Sequence, residues 1–545
     1  MKRTSTLAVT AALLASSAPL GLLVMAAGPA HAAGRTYFVS PSGNDSNPGT
    51  SVGAPFRTIQ KAADSAGPGD TVSIMNGTYS ERSKGSNVLT VKRSGRAGAP
   101  ITFTAHPGHK PVIHPVKAWN GISVYGASYI AIKNLEIKGN NAALTLAGAE
   151  RDSNKSDPTY NTNCITVERN RATGALSHHV EVSGNVVHGC AGGGISAISS
   201  DHVDITSNHV HSNSWYTVYA TSGISILTPR DVGAADPRKY KIRITGNRVH
   251  DNETKIKWEK CRCYSDGNGI IIDTLKGDGE NPAYRGRALV ADNLSYDNGG
   301  SGIHSYKSQH VDIIHNTAYK NGRSTRMESY ANIFAHDSTD VRLLNNIAYG
   351  RPGQATNSKS RNTDVTYDYN IYFGGKAPEV KGPNDIVADP KLTSPGTGAN
   401  AEFRLSKGSP AIGSGTPFPA VAHDFTGARR TGGAPDRGAY SVKTGGNTGG
   451  NDVKEGASEP ATNESASPSQ ESAAPGEPSA ATGAGTSPAA EAPLDADGDA
   501  GLKPNGESEP LAETGGSSPV LPLGIAAVVL AIGGSILFAV RRKRS

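Results

Sequence analysis

Six short stretches decide the fold: Asn185-Val-Val-His188, Asn208-His-Val-His211, Asn247-Arg-Val-His250, Asn293-Leu-Ser-Tyr296, Asn316-Thr-Ala-Tyr319 and Asn346-Ile-Ala-Tyr349. Each sets an Asn three residues before a His or Tyr, and the shortest spacings are about 23 residues. Longer spacings read as one repeat plus an insertion. Asn134 and Asn370 look like degenerate members at the two ends. Before each Asn runs a short β-branched alternation, such as Val203-Asp-Ile205, Ile242-Arg-Ile244 or Val311-Asp-Ile313. After it a Gly-Ile pair opens a second strand: Gly194-Ile195, Gly223-Ile224, Gly269-Ile270 and Gly302-Ile303, with Asn332-Ile333 a variant.

Two or three short strands per repeat, with no helical period, make one rung of a right-handed parallel β-helix, an all-β solenoid. Asn side chains stacked at a tight turn can hydrogen-bond along such a ladder, which explains the repeated residue type. A propeller or a leucine-rich horseshoe would also repeat, but the spacing is wrong and the Leu consensus is missing. The repeats sit in a stretch of about 410 residues, 33–442. That is longer than an ordinary single-core domain and suits an elongated architecture.

The flanks have other jobs. Lys2 and Arg3, an apolar run from Leu7 to Ala27 and the small-x-small site Ala30-His31-Ala32 form a secretory signal, so residues 1–32 are expected to be removed. A retained membrane anchor is the alternative, disfavoured by the Ser/Gly dilution of the run. Residues 443–510 are Gly, Ser, Ala, Pro and Glu with almost no large apolar side chain, a composition that cannot offset chain entropy and predicts a disordered spacer. Then come Leu511-Ala512-Glu513-Thr514-Gly515, an apolar run over 519–540 long enough to form a transmembrane helix, and Arg541-Arg542-Lys543-Arg544. This order resembles a sortase cell-wall sorting signal of the LAxTG kind found in high-GC Gram-positive bacteria. The resemblance implies cleavage after Thr514, transfer of Thr514 to a peptidoglycan amine, and a protein that is membrane-bound first and wall-anchored afterwards. A plain tail anchor would also leave it on the cell surface.

A net charge of +6, partly from the terminal signals, gives no reason to expect a nucleic-acid partner, and the chain is expected to act as a monomer. Cys164, Cys190, Cys261 and Cys263 would meet an oxidising exterior, so pairing is open to three connectivities. Cys261 and Cys263 are too close to look like a long-loop staple, and no ligand spacing supports zinc.

The opening Tyr37-Phe-Val-Ser-Pro-Ser-Gly-Asn-Asp45, then Pro55-Phe-Arg-Thr-Ile-Gln-Lys-Ala-Ala63, Gly69-Asp-Thr-Val72 and Asn76-Gly-Thr-Tyr79 are similar to the start of many pectin-lyase-like β-helices. Ala388-Asp-Pro-Lys391, Gly408-Ser-Pro-Ala-Ile412 and Gly433-Ala-Pro-Asp-Arg-Gly-Ala-Tyr440 resemble the closing segment of bacterial β-helix surface proteins. The amphipathic stretch from Phe56 to Ala66 is expected to be a short helix capping the open N-terminal end.

Insertions break the repeat before one Gly-Ile strand, at Thr254 to Ser265, and after two, at Pro229 to Tyr240 and Thr274 to Arg287. Loops on both sides of a strand would rim a cleft floored by its outer face. With each Ile inward, Ser196/Ile198, Ser225/Leu227, Ile271/Asp273, His304/Tyr306 and Phe334/His336 point outward in successive rungs. Asp273, His304, Tyr306 and His336 should therefore share one patch, with Lys307 just beyond. Lyases of this superfamily act on acidic polysaccharide, with Ca²⁺ neutralising a uronate and a base removing the adjacent proton. By that resemblance Asp266 and Asp273 are candidate calcium ligands and Lys307 or His304 the candidate base. The segment Ser265-Asp-Gly-Asn-Gly-Ile270 is similar to the calcium segment of family-nine pectate lyases. That family carries a denser Asp cluster and a Lys on the following rung, where this chain has His304. Asp-Gly-Asn-Gly is also an ordinary turn. A glycoside hydrolase would need two carboxyl groups about the scissile bond, and only Asp273 points clearly outward. The competing expectation is a glycan-binding or adhesive surface protein without catalysis, using an aromatic face such as Trp215, Tyr216 and Tyr219.

Overall fold

The computed structural model describes residues 34–327, 330–430 and 433–442. The signal segment, the spacer, Thr514, the apolar run 519–540 and the basic tail lie outside the described residues. Among those described, no helix is long and apolar enough to cross a membrane.

Three parallel sheets, of eleven, eight and eleven strands, run the length of the domain. Within a sheet, neighbours come from every third strand over most of its length, so the chain winds through all three faces before stacking on itself. That is a β-helix. The strands are short, three to six residues in most rungs, and the inward column of each fills the interior. In the eight-stranded sheet that column is Ile195, Ala197, Ile224, Ile226, Ile270, Ile272, Ile303 and Ile333, all essentially fully buried. β-branched side chains suit a pleated surface packed on one side, and so the repeat is rich in Val and Ile.

The Asn ladder forms. Nδ2 of Asn185 donates to Oδ1 of Asn208 at 3.0 Å, Asn208 to Asn247 at 3.0 Å, and the series continues through Asn293, Asn316 and Asn346 to Asn370. Each Oδ1 also accepts the backbone N–H of the Asn one rung before it. A buried amide with both ends used costs little, whereas leaving one end unmet would cost about 1–3 kcal/mol. Asn370 is a true member, capped by Asp385. Asn134 is not. Leu135 holds the ladder position, its N–H donating to Asn185, while Asn134 takes the preceding corner at φ 54°. The same corner is Gly184, Ser207, Gly246 and Asp292 in later rungs, a left-handed conformation that Asn tolerates. A second ladder, Asn213–Asn252–Asn298–Asn321–Asn332, runs beside the first.

The N-terminal cap is a helix at Ile59–Ser65, shorter than the expected stretch, with Thr58 as N-cap accepting from the Lys61 N–H. It lays Ile59, Ala62 and Ala63 over the first rung. A second short helix, Leu146–Asp152, lies in an insertion between rungs. Cys164 pairs with Cys190 inside the solenoid, and Cys261 pairs with Cys263 in the exposed loop before Ile270. The second pairing is one of the three connectivities left open and closes a tight loop, not a long one. Arg262 between them takes a left-handed conformation at φ 57°, which brings their Cα atoms to 5.1 Å, inside the range a disulfide spans. The closing segment folds back along the outside, where Phe403 and Tyr440 pack on Tyr296 and Tyr319.

Candidate functional site

The floor is the outer face of the eight-stranded sheet. Its strands Ile195–Ile198, Ile224–Leu227, Ile270–Asp273, Ile303–Tyr306 and Ile333–His336 pair in register, so Ser196, Ser225, Ile271, His304 and Phe334 form one outward column. Glu168, Ile198, Leu227, Asp273, Tyr306 and His336 form the second. The Gly before each Ile has a steric reason. A Cβ on Gly269 would lie 2.6 Å from the Gly302 carbonyl oxygen, so the strand entrance admits no side chain.

The structure brings Asp273, Tyr306, His336 and Lys307 to one edge of this floor and His304 to its middle. Outward does not mean exposed, however. His304, Phe334 and His336 are buried, and Asp273, Tyr306 and Lys307 keep part of their surface. His304 stacks on Phe334 with ring centroids 4.7 Å apart, and Tyr306 on His336 at 5.5 Å. Nδ1 of His304 lies 2.6 Å from Ser301 Oγ, which in turn bonds Asn268 Oδ1 at 2.9 Å. Burial, and after it the neighbouring His336, pushes His304 down to about 3, so its imidazole is neutral and a weak base.

Asp273 behaves oppositely. Burial pushes its carboxyl up to about 7; Asp266 reinforces the shift, while the Thr274 hydroxyl, donating at 2.7 Å, and Lys307 oppose it. A carboxyl poised there exchanges protons near neutral pH. Burial also raises Tyr306, to about 12, with Asp273 adding to the push. Asp266 is raised by burial, and its oxygens are taken up by Ser265, Ser222 and Asn268. It sits at φ 65° beside Gly267 at φ 64°, so the Asp-Gly-Asn-Gly segment is built as a turn.

Ca²⁺ takes six to eight oxygens. Asp266 and Asp273 are two carboxylates already engaged in hydrogen bonds, and the described residues contain no group of three or more ligating side chains. This donor set does not by itself fit calcium.

Trp215, Tyr216 and Tyr219 belong to a satellite cluster with Ala149, Ala191, Val218 and Ile256. Tyr216 is buried, the Trp215 ring lies 3.4 Å beneath Lys255 Nζ, and its indole N–H donates to the Asp251 carbonyl. They brace a loop at the rim. Glu168 escaped the sequence reading because its strand, Asn163–Glu168, lacks the Gly-Ile signature; alternation from Ile165 would have placed it outward. A larger hollow of about 1250 Å³ lies near the N-terminal cap, where Arg82 pairs with Asp45 and Lys84 with Asp157.

Residues 37–192 match the family described as Pel9A-like, right handed beta helix region, under a third of the chain. The protein YwoF of Bacillus subtilis is 42% identical over 96 residues, 18% of this chain and 18% of that protein. The chain thus spans under a fifth of the length of that curated relative. Pectate lyase L of Paenibacillus polymyxa is 24% identical over 412 residues, 71% of this chain and 84% of the enzyme. The crystal structure of pectate lyase Pel9A overlaps 75% of this chain and 97% of its own at 15% identity, with a TM-score of 0.44, too loose to weigh. The chain is distantly similar to pectate lyases, and its two disulfides suit an extracellular setting.

Proposed function

We propose that this is a surface enzyme that cleaves acidic extracellular polysaccharide by β-elimination, held to the cell wall through Thr514. The observation that carries the reading is Asp273: a carboxyl near pH 7 on an otherwise stacked aromatic floor, between the longest loops of the solenoid. In the ionised form Asp273 would take the proton next to the uronate carboxyl, and Lys307, beside it, would offset the charge that develops there; the electron pair then forms the C4–C5 double bond as the C4–O glycosidic bond breaks, and the leaving oxygen takes a proton from water. Tyr306, stacked on His336, would support the sugar ring, and His304 would serve as a fixed part of the floor. These roles differ from the sequence expectation of Asp273 as a metal ligand and His304 or Lys307 as the base. The reason is that His304 is driven down and locked to Ser301. No step is routed through calcium, because the donor set does not fit it.

The test is to incubate the protein with a panel of uronate polysaccharides and follow the absorbance of unsaturated product ends. Growth of that absorbance supports elimination; release of reducing ends without it would replace the lyase by a hydrolase. A binding-only surface protein remains the second reading, favoured by the burial of His304, and binding without any product would establish it. Anchoring is tested separately. Thr514→Ala should move the protein from the purified wall to membrane or medium, and retention in the wall would remove the sorting proposal.

A further inference from the structure

Beside the candidate site, at the same edge of the floor, lies a cavity of about 240 Å³ that no comparison assigns. It sits over Ile198 and Leu227, and Leu227 pairs directly with Asp273, so the cavity begins one rung away, roughly 4.8 Å along the solenoid. Three guanidiniums face it. Arg169 and Arg171 leave the end of the strand Asn163–Glu168, and Arg230 stands three residues beyond Ile224–Leu227.

The charges do not balance. Arg171 is answered by Glu168 at 3.6 Å. Glu280, also on the wall, is exposed. Neither Arg169 nor Arg230 has a carboxylate at ion-pair distance among the described residues. Arg230 donates through Nη2 to Asn281 at 2.8 Å, yet its Nε is buried with no partner. Burial and the repulsion of Arg169 hold Arg230 below its usual value, opposed only by Asp278 beyond ion-pair distance, so an anion between the two guanidiniums would be favoured.

The scaffold holds them there. The neighbouring Asp231 pairs with the buried Lys241, which also pairs with buried Asp201, and Tyr284 donates to Asp201 at 2.7 Å. The loops bearing Arg230 and Asn281 are thus tied to one charged knot. On the opposite rim, the loop before Ile270 carries Lys255, Lys257, Lys260 and Arg262, with Glu259 within it and Asp251 and Glu253 acting on Lys255.

We propose that this pocket is a subsite for a single acidic sugar unit, with Arg169 and Arg230 gripping its anionic group and Ile198 and Leu227 receiving its apolar face. Its volume, below the roughly 300–1,000 Å³ of drug-sized sites, suits one unit. The proposal rests on the reading of the floor as a glycan site. The anion could be a carboxylate or a sulfate, and the chemistry of the grip is common to both.

The experiment measures binding by calorimetry and turnover by absorbance, using the full chain. The probes are a galacturonate oligomer, its methyl-esterified counterpart, and a sulfated galactan oligomer lacking uronate. Arg169→Gln/Arg230→Gln should weaken binding of an acidic probe about ten- to hundredfold and leave the neutral ester unchanged. Loss confined to the galacturonate or to the sulfated probe identifies the anion. Arg169→Gln alone, which breaks no hydrogen bond, should show part of the loss with an unaltered melting temperature, so misfolding cannot imitate the result. Equal affinity and equal KM in wild type and double variant would overturn the subsite while leaving the lyase standing. Acid-dependent, arginine-dependent binding without product would keep the subsite and remove the lyase. Binding of no acidic probe by the wild type would overturn the subsite.

Discussion

Of the faces of this solenoid that carry stacked histidines, two have different physics. On the sheet after the Asn ladder, His188, His211, His250 and Tyr296 stack rung on rung with centroids 4.7–5.0 Å apart, and His209 joins His250 through a 2.8 Å contact. On the floor, His304 stacks on Phe334 and His336 on Tyr306 with nearly the same spacing. Stacking is what a β-helix does with any ring repeated at its rung distance. The floor differs in its company: Asp273 pushed to about 7, Lys307 beside it, long loops on both edges, and an arginine-lined cavity one rung away. A column of imidazoles does not make a site; a column interrupted by a misfit carboxyl, under insertions, can.

The sharpest way to break the comparison is at Asp273. Asp273→Asn keeps the shape and removes the titrating group, and should cost about 10²–10⁴-fold in turnover on a substrate the protein cleaves. His211→Asn in the other column should leave the rate near wild type. Equal losses would mean that both faces act through stability alone. Activity should also rise with pH through about 7 as Asp273 ionises, and a pH–rate profile flat across that region would remove it as the proton-handling group.

Next in size is the Asn ladder at the corner that leads into the histidine-bearing sheet. Asn293→Ala removes the partner of Asn247 and Asn316 together and should cost about 1–3 kcal/mol per group left unmet, read as a fall in denaturation midpoint.

The smallest effect separates the columns by pH. Burial and like-charged neighbours push His209 and His211 down to about 4 and His250 to about 2. In the unfolded chain they titrate near 6.5. Below that pH the unfolded chain binds protons that the fold refuses, so stability held above 6.5 declines as pH falls toward 4. Denaturation at pH 7 and pH 5 should show the drop, and His211→Asn should flatten it. An unchanged slope in that variant would move the acid sensitivity to the floor, where His304 is also driven down.

The ladder, the outward alternation and the insertions were all legible because a solenoid writes its geometry as a period. Asn370 was read correctly from spacing, whereas Asn134 was misread by one position, since Asn suits both the ladder and the left-handed corner before it. The second ladder was also open to reading, as Asn213, Asn252, Asn298 and Asn321 each follow a first-ladder Asn by five residues. Trp215, Tyr216 and Tyr219 looked like a binding face because aromatic residues cluster there in sequence. Nothing local says that Leu146–Asp152 and Ile256 will pack against them.

By itself, then, the sequence determined the β-helix, its interior and the residues that share the floor, because a two-residue alternation inside a repeat leaves no freedom in which face a side chain takes. The charged, apolar and pentapeptide strings at the two ends lie outside the described residues, and the signals read from them stand as proposals. Burial, and with it proton affinity, was decided only by the tertiary structure. His304 and Asp273 both point outward on neighbouring rungs, in adjacent columns, yet burial desolvates both, driving the imidazole to about 3 and the carboxyl to about 7. Desolvation depends on everything within several ångströms, whatever its place in the chain. The arginine pocket has the same origin, its walls meeting from residues 169, 230 and 281, which no local pattern joins.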